Sequence, residues 1–535
     1  MMRFRLRPVV LAASPQFMRC RTWGILAVAV LLLLPEAIAA DWPQWGGTCS
    51  KNMASDEKPL PESFVPGTKD TRTGTIKMET AANVKWARKV CQSTYSTPVI
   101  AGGKVFLCGY EDPGGIITCV DEKTGEVLWQ WRGDPSAHRF GICSTPVVEG
   151  DRLYVVNQGS VVMCLDVNGE PKGSDNREAK VLWTFDIHKE FETEPADVFC
   201  GSCIVDGDLL YAPTSNGIDP LGERRHKMFL YGNRPGSKDG RVIVKDPEVY
   251  RVTSPEAPNV VVFEKKTGRL VATDDAPIAE NLLKGQWSSL AAGRVGQRSL
   301  VFYGGGDGQC YAFESPATAP GQPIQLNTVW SYDCNPAEYK VFGDVPMIVH
   351  YYLGDTRWGG TLNENDGTFA GMGEIIGTPV FYNNRIYVAI GRDTAMGRGR
   401  GALQCIDATK TGDITEAGRI WTYQGLDWTC STVSIADGLV YVADVAGRLH
   451  CVDAETGHAH WIHETNSRHQ LGSTLVADGK IYMPTQKGLF VLAAGKEERL
   501  LNHIYLGAPI YSTPVAANGT LYVVSSNGWI WAVHN

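Results

Sequence analysis

Eight polar and aromatic side chains, each shortly before a β-rich run, could together bind a planar, anionic ligand. They are Tyr95, Arg139, Gln286, Trp287, Asp427, Trp428, His469 and Tyr511. An arginine can make paired hydrogen bonds to a carboxylate, and a tryptophan offers a flat surface on which a ring can stack. The alternative is that such residues merely line a water-filled channel, and for any single residue we favour that alternative.

Two other groups of side chains suggest metal or redox chemistry, but their spacing argues against it. Cys200 and Cys203 fall inside a β-rich run, where residues three apart point to opposite faces with Cα atoms roughly 10 Å apart. His458 and His460 share one face of a strand, but no third ligand accompanies them. We therefore predict no metal site. No Ser-His-Asp set, phosphate loop or pair of carboxylates stands out.

The elements that must position these residues are repeated. Eight times a small hydroxyl residue, here called an anchor, opens a phrase of a β-rich run, a Gly-Gly or Asp-Gly turn, and then a second apolar run. The anchors are Thr97, Thr145, Ser202, Ser289, Thr378, Thr432, Ser473 and Thr513. A repeat of this kind, built only from strand signals, is typical of a β-propeller.

Each unit continues into a second pair of strands, which in several units ends on a tryptophan. In residues 121–129 and 453–461, an Asp-x-x-Thr-Gly turn precedes Trp129 and Trp461. Asp and Thr side chains can close such a turn with hydrogen bonds, and Gly relieves its backbone. The tryptophan is large and flat, so we expect it to fill the wedge between neighbouring blades.

The two ends of the repeat array predict a closed ring. The chain stops after three strands of its last unit, whereas residues 83–90 read as an orphan strand with Trp86 at the docking position. The sequence therefore predicts an all-β, eight-bladed β-propeller of four-stranded antiparallel blades, with the last blade closed by the N-terminal strand. It spans residues 83–535 as a single domain, with insertions at 217–258 and 335–375.

The residues before the ring predict export. An arginine-rich stretch precedes an apolar run from Gly24 to Leu34, and small residues at Ala37, Ala39 and Ala40 follow. This run is shorter than the ~20 residues of a membrane-spanning helix, so we interpret residues 1–40 as a signal peptide. The mature chain would begin at Ala40 or Asp41 and have no transmembrane segment. Residues 41–82 are predicted to form an irregular strap over the ring.

Charge and cysteine usage limit the function further. The formal net charge is −8, which argues against a nucleic-acid binder. Five cysteines occupy one equivalent strand position in different units and are expected to be small buried core residues: Cys119, Cys164, Cys310, Cys405 and Cys451. We expect a monomer.

One face of the ring is predicted to carry the function. In a four-stranded antiparallel blade, loops joining the second and third strands share a face with loops that join consecutive blades. The insertions 217–258 and 335–375 and the hairpin 391–401 should therefore rise from the same side. Binding residues concentrate on loops held by a rigid scaffold, so this face could bind a protein, a glycan or a small anionic ligand.

The Asp/Thr-Gly/Trp units with Ser-Thr-Pro openings resemble the pyrroloquinoline quinone (PQQ) repeat. That repeat occurs in quinoprotein dehydrogenases and in the propeller lipoprotein that assists outer-membrane protein assembly. The resemblance covers residues 86–535. Residues 41–47, 285–289 and 304–308 also look like exported bacterial PQQ-binding-like propellers.

The resemblance implies the fold and leaves two functions open. We favour a periplasmic or extracellular binding scaffold over an enzyme. The alternative is a PQQ- and calcium-dependent quinoprotein dehydrogenase of alcohols or sugars, with its cofactors at the channel mouth. The scaffold is favoured because the chain has neither an adjacent cysteine pair nor a Cys-x-x-Cys-His haem motif.

Overall fold

Eight four-stranded antiparallel sheets form the predicted β-propeller. This computed structural model describes residues 40–135, 140–173, 176–196, 198–218, 252, 254–282, 284–342, 345–346, 372–392, 399–467 and 471–535. Each sheet is one blade, and its strands follow one another in sequence from the inner to the outer edge. In the last blade the outer strand comes from the start of the chain.

The first four blades are continuous in sequence. Blade 1 contains Val99–Ala101, Lys104–Glu111, Gly114–Asp121 and Val127–Pro135. Blade 2 contains Val147–Glu149, Arg152–Val156, Val161–Lys172 and Asn176–Asp186. Blade 3 contains Ile204–Asp206, Leu209–Pro213, Val260–Glu264 and Arg269–Thr273. Blade 4 contains Leu290–Val295, Arg298–Gly304, Gln309–Glu314 and Thr328–Asp333.

The remaining blades complete the circle. Blade 5 contains Val380–Tyr382, Arg385–Ile390, Ala402–Asp407 and Arg419–Tyr423. Blade 6 contains Ser434–Ala436, Leu439–Ala443, Arg448–Asp453 and Ala459–Glu464. Blade 7 contains Leu475–Ala477, Lys480–Thr485, Gly488–Ala493 and Leu500–Ile504. Blade 8 contains Val515–Ala517, Thr520–Val524, Trp529–Val533 and Val84–Lys89.

A few short elements lie outside this pattern. Three short strands pair in parallel with blades 7, 3 and 4, respectively: Ala54–Ser55, Ile324–Gln325 and Gly412–Asp413. Two hairpins are formed by Val65–Lys69 with Ile76–Ala82 and by Val341–Phe342 with Val345–Pro346. The helical turns are Ile187–Phe191, Ile278–Asn281 and Ala337–Tyr339. In the described part of the chain, none of the helices is long and apolar enough to span a bilayer.

The ring is closed by its own two ends, as the sequence predicted. Val84–Lys89 pairs antiparallel with Trp529–Val533, which places Ala87 opposite Trp531. Because the last blade takes its outer strand from the start of the chain, the segment that leads into blade 1 is held to the C-terminal strands by a β-ladder within blade 8.

The glycine turn of one blade and the outer-strand tryptophan of the preceding blade form a repeated contact between blades. The indole N–H of Trp86 donates to the carbonyl of Glu122 in blade 1 at 2.9 Å. Its ring covers Gly125, whose φ is +70°, so closely that a Cβ there would lie 2.5 Å from it. Trp421 covers Gly457 of the next blade in the same way. The glycine is therefore required both by the turn and by the tryptophan of the preceding blade.

The repeated strand cysteines are core residues, as predicted. All five are 0% exposed: Cys119, Cys164, Cys310, Cys405 and Cys451. Burial raises the pKa of the Cys405 and Cys451 thiols to about 12, which keeps them protonated and poorly reactive. Among the cysteines that the structure describes, none forms a disulfide.

Candidate functional site

The eight anchors form a belt of hydrogen bonds around the channel. At seven junctions, the backbone N–H of one anchor donates to the hydroxyl of the next, over 2.9–3.1 Å. The last of these bonds runs from Thr513 back to Thr97. A side-chain oxygen close to the backbone is needed at this position, which explains why every unit opens on Ser or Thr.

The eighth junction of this belt is completed by another part of the chain. Between blades 4 and 5, the hydroxyl of Thr378 accepts a hydrogen bond from the indole N–H of Trp45 at 3.0 Å. Trp45 precedes the ring in sequence and lies inside the channel. The segment before the propeller is therefore part of the channel structure.

Residues 41–57, here called the plug, contact the inner strand of every blade in turn. The contact is always made at the residue three positions after the anchor: Ile100, Val148, Val205, Ala292, Phe381, Ile435, Val476 and Ala516. The plug supplies backbone or side-chain groups of Trp42, Pro43, Cys49, Ser50, Asn52, Met53 and Ser55 for these bonds.

These contacts explain why an irregular segment can be well packed. The inner edge of each blade presents backbone N–H and C=O groups that need partners when they are removed from water. The plug provides these partners one blade at a time. At Ile435 the Asn52 side chain does so alone: its amide N–H donates to the Ile435 carbonyl, and its amide oxygen accepts from the Ile435 N–H. One end of the channel is thereby filled by the chain itself.

A lysine lies buried at the centre of the plug. Lys51 is 0% exposed, and its ammonium donates to Gln44 Oε1 and to the carbonyl of Trp45, both at 2.9 Å. Burial lowers the pKa of Lys51 to about 8, although the nearby thiols of Cys49 and Cys203 act in the opposite direction. Relative to the unfolded chain, folding therefore shifts the Lys51 amine toward its neutral form.

Lys51 should make the stability of the fold depend on pH. Between about pH 8 and the ordinary lysine pKa, the unfolded chain binds more protons than the folded one, so stability rises with pH. From pH 7 to pH 9, we expect the wild type to gain about 1 kcal/mol of unfolding free energy relative to Lys51→Met. Urea unfolding at pH 7, 8 and 9 measures this difference. The exposed Lys58→Met serves as the control, and equal pH slopes for Lys51→Met and the wild type would contradict the assignment.

A cavity of about 610 Å³ occupies the channel on the other side of the anchors. Its wall is a ring of the eight residues that lie two positions before each anchor: Tyr95, Cys143, Cys200, Trp287, Ile376, Cys430, Leu471 and Tyr511. Along each inner strand, five residues separate this ring from the plug contact. At the rise of an extended strand, this separation is roughly 16 Å. Trp45 lines the cavity from the plug side, so the plug is its floor.

Aromatic rings dominate one side of this cavity. Tyr95 and Tyr511 stack in parallel, with ring centroids 5.3 Å apart, and Phe140 meets Tyr95 edge-on at 5.6 Å. Phe140 is 43% exposed, which is unusual for a side chain of its size. Such a wall suits an apolar or aromatic group.

The opposite side carries a cation next to an aromatic ring. The ammonium of Lys284 lies 5.5 Å from the ring centroid of Trp287, and both residues line the cavity. The Trp287 indole donates to the carbonyl of Ala196 at 3.2 Å, which fixes the ring plane. The Lys284 ammonium and the Trp287 ring thus form a cation–π pair in this wall.

Three of the eight residues predicted to bind a ligand line this cavity, namely Tyr95, Trp287 and Tyr511. Gln286 instead faces away and is 1% exposed. Its amide N–H groups donate to the carbonyl of Asn216 and the side chain of Asn259, at 2.8 and 3.0 Å. Gln286 therefore ties neighbouring loops together. Arg139 and His469 lie outside the described residues.

Asp427 and Trp428 are also buried away from the cavity. The Asp427 carboxylate accepts from the backbone N–H groups of Gly399 and Trp428, at 2.7 and 2.8 Å. Its own N–H donates to Asp444, a buried carboxylate. Burial raises the pKa of Asp444, but hydrogen bonds from His450 and Arg448 outweigh it and leave that pKa below its usual value. This network fixes the loop before blade 6.

The ends of the insertion 217–258 contact the loop between blades 3 and 4. Ile218 bridges Val252, and its N–H donates to the carbonyl of Lys284 at 3.1 Å. The remainder of this insertion, including its basic residues, lies outside the described residues. Its described ends nevertheless lie next to a residue of the cavity wall.

The ends of the insertion 335–375 contact the hairpin 391–401. Glu374 and Gly391 exchange backbone hydrogen bonds of 2.8 and 3.1 Å, and Arg392 donates to the carbonyl of Met372 at 2.7 Å. The guanidinium of Arg392 stacks 4.7 Å from the ring centroid of Trp428. The described ends of both elaborations therefore pack together beside blades 5 and 6.

The described cavity wall does not match a site for PQQ and calcium. Calcium takes six to eight oxygen ligands, mostly from carboxylates and carbonyls, but the described lining includes no carboxylate and one cation, Lys284. Within the described ranges, no three His, Cys, Asp or Glu side chains are grouped closely enough to hold a metal. The lining fits an apolar or aromatic group better than an anionic quinone.

Comparison with known families gives a match over more than half of the chain. The model described as "Outer membrane protein assembly factor BamB" matches residues 69–274, 348–463 and 413–496. These segments cover most of the repeats on which the propeller was predicted.

Curated relatives of the same description are more distant. The protein from Escherichia coli K12 is 26% identical over 205 residues, covering 35% of this chain and 47% of the relative. The protein from Salmonella typhimurium is 25% identical over 184 residues, covering 31% and 42%. The chain thus spans less than half the length of these relatives.

Solved structures with a similar arrangement include BamB from Moraxella catarrhalis. It is 13% identical with a TM-score of 0.49, covering 84% of this chain and 97% of that one. A europium-containing methanol dehydrogenase is 10% identical with a TM-score of 0.43, covering 92% and 89%.

Proposed function

The chain belongs to the family described as outer membrane protein assembly factor BamB, and we propose that it is an exported, protein-binding scaffold. Its partner docks on the face that carries the insertion loops. The observation that carries this proposal is the plug, because residues 41–57 already occupy the inner strands at the other end of the channel.

The cavity gives the proposed face a point of attachment. Its wall combines stacked tyrosines with the exposed ring of Phe140, and apolar pockets of this kind receive the anchoring side chains of protein partners. The partner would insert an aromatic or aliphatic side chain here. Loops around the mouth would then contact the surrounding surface.

The description of the relatives supports one class of partner. The Escherichia coli protein is called an outer membrane protein assembly factor, so we propose a partner among the proteins that assemble the bacterial outer membrane. We infer that the protein acts in the periplasm, which the predicted signal peptide supports.

Site-specific photo-crosslinking tests the docking face. A photoreactive residue at Phe140, on the cavity rim, should give an adduct with an outer-membrane assembly protein, identified by mass spectrometry. The matched control is Asp151, whose side chain is 79% exposed in a turn at the other end of blade 2. We expect at least a tenfold lower adduct yield from Asp151.

Two outcomes would overturn this proposal. Equal crosslinking from Phe140 and Asp151 would remove the preference for the loop-bearing face. Tight retention of added PQQ and Ca²⁺, with alcohol- or sugar-dependent reduction of a dye, would instead favour a quinoprotein dehydrogenase.

A further inference from the structure

A buried carboxylate holds the backbone nitrogen of Ala40. Glu57 is 8% exposed, and its Oε1 accepts from the nitrogen of Ala40 at 2.7 Å. Its Oε2 accepts from the N–H of Gly519 at 2.6 Å. The carboxylate is therefore fixed between the start of the plug and the first turn of blade 8.

The neighbouring groups fix this end of the plug in the same place. The carbonyl of Ala40 accepts from the N–H of Asn518 at 3.3 Å. The Asp41 carboxylate accepts from the Asn518 amide at 3.0 Å and from the N–H of Gly102 at 2.9 Å. Residues 40 and 41 are thus bonded to turns of blades 8 and 1.

Three carboxylates lie around Ala40, so a positive charge there would be stabilised. The Asn518 amide also donates to the Glu122 carboxylate at 3.0 Å, so Glu57, Asp41 and Glu122 gather around the turn at Asn518. Like charges gathered in this way repel one another. An amide nitrogen at Ala40 is neutral, whereas an α-amino group with a pKa of about 8 carries a positive charge at pH 7.

The sequence before Ala40 permits such an amino group to be made. Ala37-Ile38-Ala39 has small residues at the two positions that a signal peptidase reads before its cleavage site. Cutting one residue later, after Ala40, would remove Ala40 and its contact with Glu57. The motif and the contact therefore point to the same bond.

We propose that the Ala39–Ala40 bond is the processing site of this chain and that Glu57 is the binding site for the new α-ammonium group. Hydrolysis by a signal peptidase consumes one water molecule, leaving a carboxylate on Ala39 and an amino group on Ala40. That amino group takes up a proton, so the neutral amide donor to the Glu57 carboxylate is replaced by a charged ammonium donor, and the resulting ion pair is the stronger interaction. Processing thereby locks the plug onto blade 8. This inference is independent of any partner on the opposite face.

Expressing the full chain in a bacterium and sequencing the exported protein tests the site of processing. We expect the mature chain to begin at Ala40, with an intact mass to match. A start at Asp41, or retention of residues 1–39 on the folded protein, would overturn the proposal.

A double-mutant cycle tests the ion pair. Chains that begin at Ala40, or with one additional glycine before it, are each compared with and without Glu57→Gln. Glu57→Gln weakens the hydrogen bond from the Gly519 N–H equally in both chains, so this loss cancels when the two chains are compared. We expect Glu57→Gln to lower the urea midpoint at least twice as far in the chain that begins at Ala40.

An equal loss in the two backgrounds would show that the α-amino group contributes nothing, and the ion pair would be rejected. Glu62→Gln, at an exposed position of the following segment, is the matched control and should leave both midpoints unchanged.

Discussion

Replacing Trp86 with alanine is expected to lower the free energy of unfolding by about 4 kcal/mol. Trp86 is 6% exposed and belongs to the strand that joins the two ends of the ring. The substitution leaves a cavity over Gly125 and removes the donor to the carbonyl of Glu122. Denaturant unfolding followed by tryptophan fluorescence and circular dichroism measures the loss.

Trp131→Ala provides the comparison for this effect. Trp131 is a half-buried tryptophan on the outer strand of blade 1, so its removal creates less cavity and should cost about 1–2 kcal/mol. A loss for Trp86→Ala no larger than that for Trp131→Ala would contradict the role of Trp86 in closing the ring.

Asn52→Ala is expected to cost about 2–3 kcal/mol, because it leaves two backbone groups of Ile435 without their partners. Ile435 is 1% exposed, and its N–H and carbonyl bond the Asn52 amide at 2.8 and 2.9 Å. The plug should loosen at this point before the blades unfold. Cys49, three residues away, should therefore react faster with a thiol reagent.

The control for this variant is Asn327→Ala, which removes an exposed asparagine at the edge of blade 4. It should change stability by less than about 0.5 kcal/mol and leave the labelling rate of Cys49 unaltered. If Asn52→Ala behaves like Asn327→Ala, the plug does not depend on this side chain.

Side-chain alternation explains which predicted ligand-binding residues reached the cavity. Tyr95, Trp287 and Tyr511 all lie two positions before an anchor, and that position faces the channel in every blade. Gln286 lies three positions before its anchor and faces the loops instead. Counting positions back from the anchor would therefore have distinguished the residues that face the cavity from Gln286.

The same register would also have identified wall residues that the sequence interpretation missed. Cys143, Cys200, Ile376, Cys430 and Leu471 occupy the equivalent position and complete the ring around the cavity. They were overlooked because thiols and aliphatic side chains resemble core residues when read one at a time. Asp427 and Trp428 have no such signal, since a contact with Gly399 or Arg392 depends on how two loops meet.

The amino-acid sequence by itself determined the blades, their number and the closure of the ring. These depend on patterns repeated over short distances: alternating strands, Asp-x-x-Thr-Gly turns and a docking tryptophan in six of the eight blades. Only the tertiary structure decided the path of residues 41–57. Each of their partners lies in a different blade, so no local pattern encodes it. The eight inner strands come together only after the ring has closed, and the closed ring creates the edges that the plug must satisfy.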